Sequence, residues 1–303
     1  MVVHITARVF EGLPFLPRRT MIRAIKGILA RGQVLFPVTV CAFTYMGNHP
    51  HFILAGNGNR ISPFMNFVQG EMAKAFEKFI PHKYRDLFWE DRFHEQLLKT
   101  EQDVIKILLY LYLNPVKAGL VSCADEYSEL SSIKAFRAGV PSEELCSFTP
   151  SRHLKALHNT YNLKEDREED RYLIKHTESF SVLRIEPLAW LKCFRMEHKK
   201  AQIQDQLVKT LEEQTIKTRR KRTLGIERVR AQPLSKRHRP PEKHRTPYII
   251  CYDKELRKLA IESYREFCHR CRKAWEALKQ EVVQVAWPIG GYKPYHSWGP
   301  WRA

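Results

Sequence analysis

The chain has 303 residues, enough for two domains, and 44% of them are apolar, enough for a buried core. Its net charge of +18 and pI near 9.7 favour a polyanionic partner over a basic surface kept for solubility, because neutralising phosphates drives non-specific nucleic-acid binding. No apolar run is long enough to span a bilayer, the start Met1-Val2-Val3-His4 lacks the order of a signal peptide, and seven scattered cysteines fit reduced thiols in a cytoplasm rather than a disulfide framework.

Residues 3–9 read as a strand, and Pro14 and Pro17 mark a loop. Met21, Ile22, Ala24, Ile25 and Ile28 recur at helical spacing, which predicts an amphipathic helix over 18–30 ended by Gly32. Two strands are expected over 34–45 and 49–54, joined at Gly47-Asn48. A second helix should cover 61–79, opening at Ser62-Pro63. A short strand over 92–98 and a helix over 101–113 follow, with Pro115 biasing Asn114 out of the helical region. The order β-α-β-β-α-β-α is compatible with an α+β fold: a ferredoxin-like split βαβ antiparallel sheet with helices on one face.

From about residue 150 the composition changes, and residues 1–145 are expected to form a catalytic-type domain and 146–303 a basic, mainly helical extension. Helical patterns recur at 154–178, 187–211 and 253–279. Between them lies an Arg/Lys/Pro-rich segment near 215–247, expected to be flexible. Its densest cluster is Arg219, Arg220, Lys221 and Arg222, for which DNA-backbone contact is favoured over a solvated linker. Trp287, Tyr292, Tyr295, Trp298 and Trp301 are equally suited to stack on unpaired bases or to dock the tail on the body of the protein. Cys268 and Cys271 have a zinc-like spacing but sit in a helical pattern with no second pair, which argues against zinc.

The chemistry concentrates in two stretches. In Asn48-His49-Pro50-His51-Phe52-Ile53-Leu54, alternation along a strand puts both imidazoles on one face and Phe52 and Leu54 on the other. Neutral imidazole is the commonest metal ligand, yet two ligands alone make a weak site, so another donor is needed. In Tyr110-Leu111-Tyr112-Leu113-Asn114-Pro115-Val116, helical phase puts Tyr110 and Asn114 on one face and Tyr112 elsewhere. The bland readings are two surface histidines beside a turn and a tyrosine packed on the sheet.

The His-x-His strand followed by Tyr-x-x-x-Asn-Pro-Val-x-Ala-Gly-Leu-Val resembles the single-tyrosine HUH transposases of the insertion-sequence 200 type, and in particular the REP-associated tyrosine transposases. Further stretches match in order: Val3-His4-Ile5-Thr6-Ala7-Arg8, Tyr45-Met46-Gly47-Asn48-His49, Trp89-Glu90-Asp91-Arg92-Phe93-His94, and Tyr127 with Ser131-Ser132, over roughly residues 3–140. One departure is Pro50, where the family usually has a bulky apolar residue. A proline is normally tolerated at a strand edge; inside a central strand it removes a ladder hydrogen bond and could distort the site and weaken the enzyme. The resemblance implies a metal-dependent single-stranded DNA endonuclease and strand transferase acting on hairpin or palindromic DNA. It implies Mg²⁺ or Mn²⁺ held by His49, His51 and Asn114, and a 5′-phosphotyrosine on Tyr110, with Tyr112 the fallback nucleophile. Arg8, Arg92 and His94 are candidates to contact DNA phosphate or to sit near the metal, with surface or core hydrogen bonding an equal reading. A non-catalytic single-stranded nucleic-acid binder on the same fold is the alternative.

Overall fold

The computed structural model describes residues 1–12, 19–76, 88–148, 179–232, 249–280 and 285–288. The helical pattern expected over 154–178, most of the Pro-rich segment and the aromatic tail beyond 288 lie outside the described residues.

The first half is built from β1 (Val2–Thr6), α1 (Arg19–Leu35), β2 (Thr39–Tyr45), β3 (Pro50–Ala55), α2 (Gly58–Phe76), β4 (His94–Leu98) and α3 (Glu101–Lys117). β1 lies between β3 and β4, antiparallel to both, and β3 is also antiparallel to β2. The resulting order β2-β3-β1-β4 is the split βαβ arrangement, with helices α1 and α2 as the two crossovers. Three more strands extend it into one seven-stranded mixed sheet. β5 (Ser142–Phe148) pairs antiparallel with β6 (Ser179–Ile185), β6 runs parallel to β2, and β7 (Ile249–Ile250) runs parallel to β4. The extension thus adds strands to both edges of the sheet.

Strand alternation sorts the two faces. Val3, Ile5, Val40, Phe43, Phe52 and Leu54 point into one core with Ile25, Leu29, Phe64, Met65 and Val68 of α1 and α2. Val2, Ala42, Ile53 and Ala55 point to the other, where Val104, Leu108 and Leu111 of α3 cover them. A helix of the extension, α5 (Lys200–Thr218), closes this second layer with Ile203, Leu207 and Leu211; the short α4 (Ile133–Ala138) lies between. So α1 and α2 share one face and the tyrosine-bearing helix crosses the other.

Local differences from the sequence reading have physical reasons. α1 does not stop at Gly32. It runs on to Leu35, and Gly32 is where α2 comes close, a Cβ there lying 2.9 Å from the Phe64 ring. α3 does not end at Asn114 either: Pro115 lies inside it, and the amide of Ala118 bonds back to the Asn114 carbonyl at 2.9 Å, carrying the helix to Lys117. Pro50 is the first residue of β3, a position that accepts proline, and pairing with β1 starts only at His51. The Met46 amide donates to the His49 carbonyl at 2.9 Å, so Tyr45–Pro50 is the non-hydrogen-bonded pair, where β2 asks no N–H of the proline.

Asp253 caps the last long helix, α7 (Lys254–Lys279), by accepting from the Leu256 amide at 2.9 Å; α6 (Ile226–Arg230) is a single short turn. Among the described residues no helix is long and apolar enough to cross a membrane.

Gly27 sits where α1 meets the backbone of β5, and a Cβ there would collide with the Ser147 carbonyl. Gly27→Ala should therefore destabilise the fold by about 1–3 kcal/mol through overpacking, despite alanine's better helix propensity. Urea denaturation of the two proteins measures it.

Candidate active site

The site lies on the face opposite α1 and α2. Thr6 of β1 is in register with His51 of β3, and His4 sits one pleat along from it, in register with Gln96 of β4. Three imidazoles gather here: the His49 and His51 ring centroids are 4.9 Å apart, and the His4 and His51 rings are 5.4 Å apart and nearly coplanar in orientation, at 4°. α3 lays its polar stripe over them. The Tyr110 ring stands edge-on to His51 at 5.5 Å and to His4 at 6.5 Å. Asn114, one helical turn on, brings Nδ2 within 3.0 Å of His51 Nε2 and hydrogen-bonds the Tyr110 hydroxyl.

The helix is fixed at its start by a reciprocal cap. Thr100 Oγ1 accepts from the Asp103 amide at 3.2 Å, and Asp103 Oδ2 accepts from the Thr100 amide at 2.8 Å. Its apolar residues, Leu108, Leu109, Leu111 and Leu113, are buried, which leaves Tyr110, 41% exposed, turned toward solvent and the histidines.

Burial pushes the His4 and His49 pKa values down to about 4 and that of His51 well below its usual value, so all three rings are neutral at pH 7. His49 Nδ1 donates to Asn48 Oδ1 at 2.6 Å, which makes Nε2 its lone-pair nitrogen. Burial raises the Tyr110 phenol above its ordinary range, opposed by the positive charge of Arg8 and the hydrogen bond from Asn114. The Arg8 charge also lowers the His49 and His51 pKa values, so it acts on the whole cluster.

The donor set suits a divalent cation. Asn114 Nδ2 and His51 Nε2 are hydrogen-bonded at 3.0 Å, so the asparagine amide lies beside the imidazole that would be its fellow ligand. A half-turn of that amide puts Oδ1 in the place of Nδ2, an oxygen donor beside imidazole nitrogens. Among the described residues there is no cluster of three or more His, Cys, Asp or Glu suited to a metal.

The structure brings together His49, His51, Tyr110, Asn114 and Arg8. It keeps Tyr112 away: that ring is 1% exposed, packs on Phe136 at 4.6 Å, and its hydroxyl bonds Ser132 Oγ at 2.8 Å. Tyr112 is a core residue. Arg92 is exposed, with its charge acting on Glu95. Arg219, Arg220, Lys221 and Arg222 are exposed just past α5, and Arg220 lies against Gly119 at the C-terminal end of α3. Cys268 and Cys271 are free thiols on α7. The sequence reading missed His4 and Gln96 as members of the cluster. A histidine between Val3 and Ile5, in a mostly apolar strand, was the available signal.

No family model and no curated protein matches the sequence. Solved structures do. One is a REP-associated tyrosine transposase bound to a REP hairpin, 19% identical, aligned over 45% of this chain and 79% of that one with a TM-score of 0.36. Another is a protein from Deinococcus radiodurans R1 assigned as a transposase, 15% identical, over 36% of this chain and 87% of that one with a TM-score of 0.29. At these identities and scores the likenesses carry no argument about chemistry, which rests on the residues of this chain.

The neutral histidines make stability depend on pH. Their folded pKa of about 4 lies below the ordinary 6.5, so in that window the unfolded chain binds protons the folded one refuses. Stability should climb from pH 4 to 6.5 and level off above, each such histidine accounting for on the order of 3 kcal/mol. Denaturant titrations across the window test this, and His4→Phe should lower the slope by about one proton.

Proposed function

We propose that the chain is a metal-dependent single-stranded DNA endonuclease and strand transferase that uses Tyr110 as nucleophile and forms a 5′-phosphotyrosine intermediate. The observation that carries this reading is the convergence of His49, His51 and Asn114 with the one solvent-facing phenol of α3, beside Arg8. His49 Nε2, His51 Nε2 and Asn114 Oδ1 would hold the cation. Their mixed nitrogen and oxygen character suits Mn²⁺ at least as well as Mg²⁺. When bound, the cation supplies charge withdrawal from the phosphate oxygens.

The chain's own groups do the rest. Tyr110 Oη attacks the phosphorus, the P–O3′ bond breaks, and the 3′-oxygen leaves as a hydroxyl. The phenol's proton has a way out, because Tyr110 is 41% exposed. The Arg8 charge, which opposes part of the effect of burial on Tyr110, favours the phenolate and would attract the scissile phosphate. Asn114 orients the phenol by hydrogen bond. A second 3′-hydroxyl reverses the step on a new strand, so joining needs no nucleotide cofactor. The substrate proposed is hairpin DNA, in keeping with the ordered sequence resemblance and the net charge of +18.

A labelled single-stranded hairpin incubated with Mn²⁺ should become covalently attached to the protein on a denaturing gel. Tyr110→Phe should abolish the adduct. Tyr112→Phe should keep it and cost about 1 kcal/mol of stability through the lost Ser132 bond. An adduct that persists in Tyr110→Phe removes Tyr110 from its role. Hairpin binding that withstands EDTA, with no adduct from any substrate, favours the non-catalytic binder.

A further inference from the structure

The proposed metal ligand His51 reaches Asn114 with one ring nitrogen and His4 with the other. His4 is 3% exposed and takes no part in the chemistry above. Its Nε2 faces His51 Nδ1 at 3.1 Å, and its Nδ1 faces Gln96 Oε1 at 2.8 Å.

We propose that Gln96 and His4 form a proton-ordering relay that locks His51 in the tautomer whose Nε2 lone pair points at Asn114 and the cation position. The relay rests on the metal reading above for its purpose, but its logic is local. An amide oxygen only accepts, so His4 Nδ1 carries a proton. A neutral His4 ring then has a bare Nε2, which must accept. The single proton in the 3.1 Å gap therefore belongs to His51 Nδ1. That leaves His51 Nε2 unprotonated, 3.0 Å from the Asn114 amide. Without the relay, His51 could place its proton on Nε2 and present an N–H where a ligand lone pair is needed. Partners of this kind behind ligating histidines typically affect metal affinity by about 10–100-fold. His49 obtains the same protonation from Asn48 Oδ1 at 2.6 Å, so both histidines of the pair have their tautomer set from behind. His4 and Gln96 are positioning residues.

The test uses the full chain, first without metal. In ¹⁵N-histidine NMR near pH 8, above the ordinary histidine pKa, His51 should show a protonated Nδ1 and a bare Nε2. Gln96→Leu and His4→Leu should mix the tautomers. His4→Gln, whose Oε1 falls close to the position of the lost Nε2, should restore the order. Mn²⁺ binding, followed by electron paramagnetic resonance, should weaken about 10–100-fold in both leucine variants and recover in His4→Gln. A wild-type His51 protonated on Nε2, or a tautomer unmoved by Gln96→Leu, overturns the relay. Should His4→Leu fail to fold, Gln96→Leu and His4→Gln carry the comparison. A wild-type protein with the expected tautomer but no Mn²⁺ uptake upholds the relay and sinks the metal site.

Discussion

The molecule is arranged around the two unlike faces of the adjacent strands β1 and β3. One face is aliphatic and aromatic and is sealed by α1 and α2. The other carries His4 and His51 into a layer that α3 covers only in part. Burying imidazoles costs less than burying other ionisable groups, because they can shed their charge and still bond through both nitrogens. The interior polar chain from Gln96 through His4 and His51 to Asn114 satisfies itself across three strands and a helix. That chain joins the sheet to the helix, so the tyrosine is positioned by polar contacts as well as by packing.

Electrostatics at the site oppose one another by design. Burial disfavours phenolate at Tyr110, while Arg8 and Asn114 favour it. Burial likewise keeps the histidines neutral at the pH where ligands must be neutral, and Arg8 adds to that effect on His49 and His51. A single guanidinium thus bears on both halves of the proposed chemistry, the histidine pair and the phenol.

Much of this was legible in the chain. Strand alternation placed His49 and His51 together, and helical phase chose Tyr110 and Asn114 over Tyr112, because both periods are properties of the backbone. The split sheet followed from element order. What stayed hidden depended on distant neighbours. Gly32 read as a helix stop because its reason, the Phe64 ring, lies on another helix. Pro115 read as a boundary because the bonds that carry the helix past it come from residues downstream. His4 was part of a recognised strand, yet its role needs Gln96, ninety-two residues away. The parallel contact of Val40 with Ile185 has no local signal at all.

The extension takes hold of the tyrosine helix at both ends and along its back. At the start, the buried Asp103 accepts from the Tyr252 amide at 3.1 Å while Lys106 lies over the Tyr252 ring. At the finish, the amides of Leu224 and Gly225 bond the carbonyls of Gly119 and Leu120, both at 2.9 Å. Between them, Leu207 and Leu211 pack in the same layer as Leu108 and Leu111. A cut near residue 145 would sever β5 and remove these contacts to α3. The second half thus braces the helix that carries Tyr110.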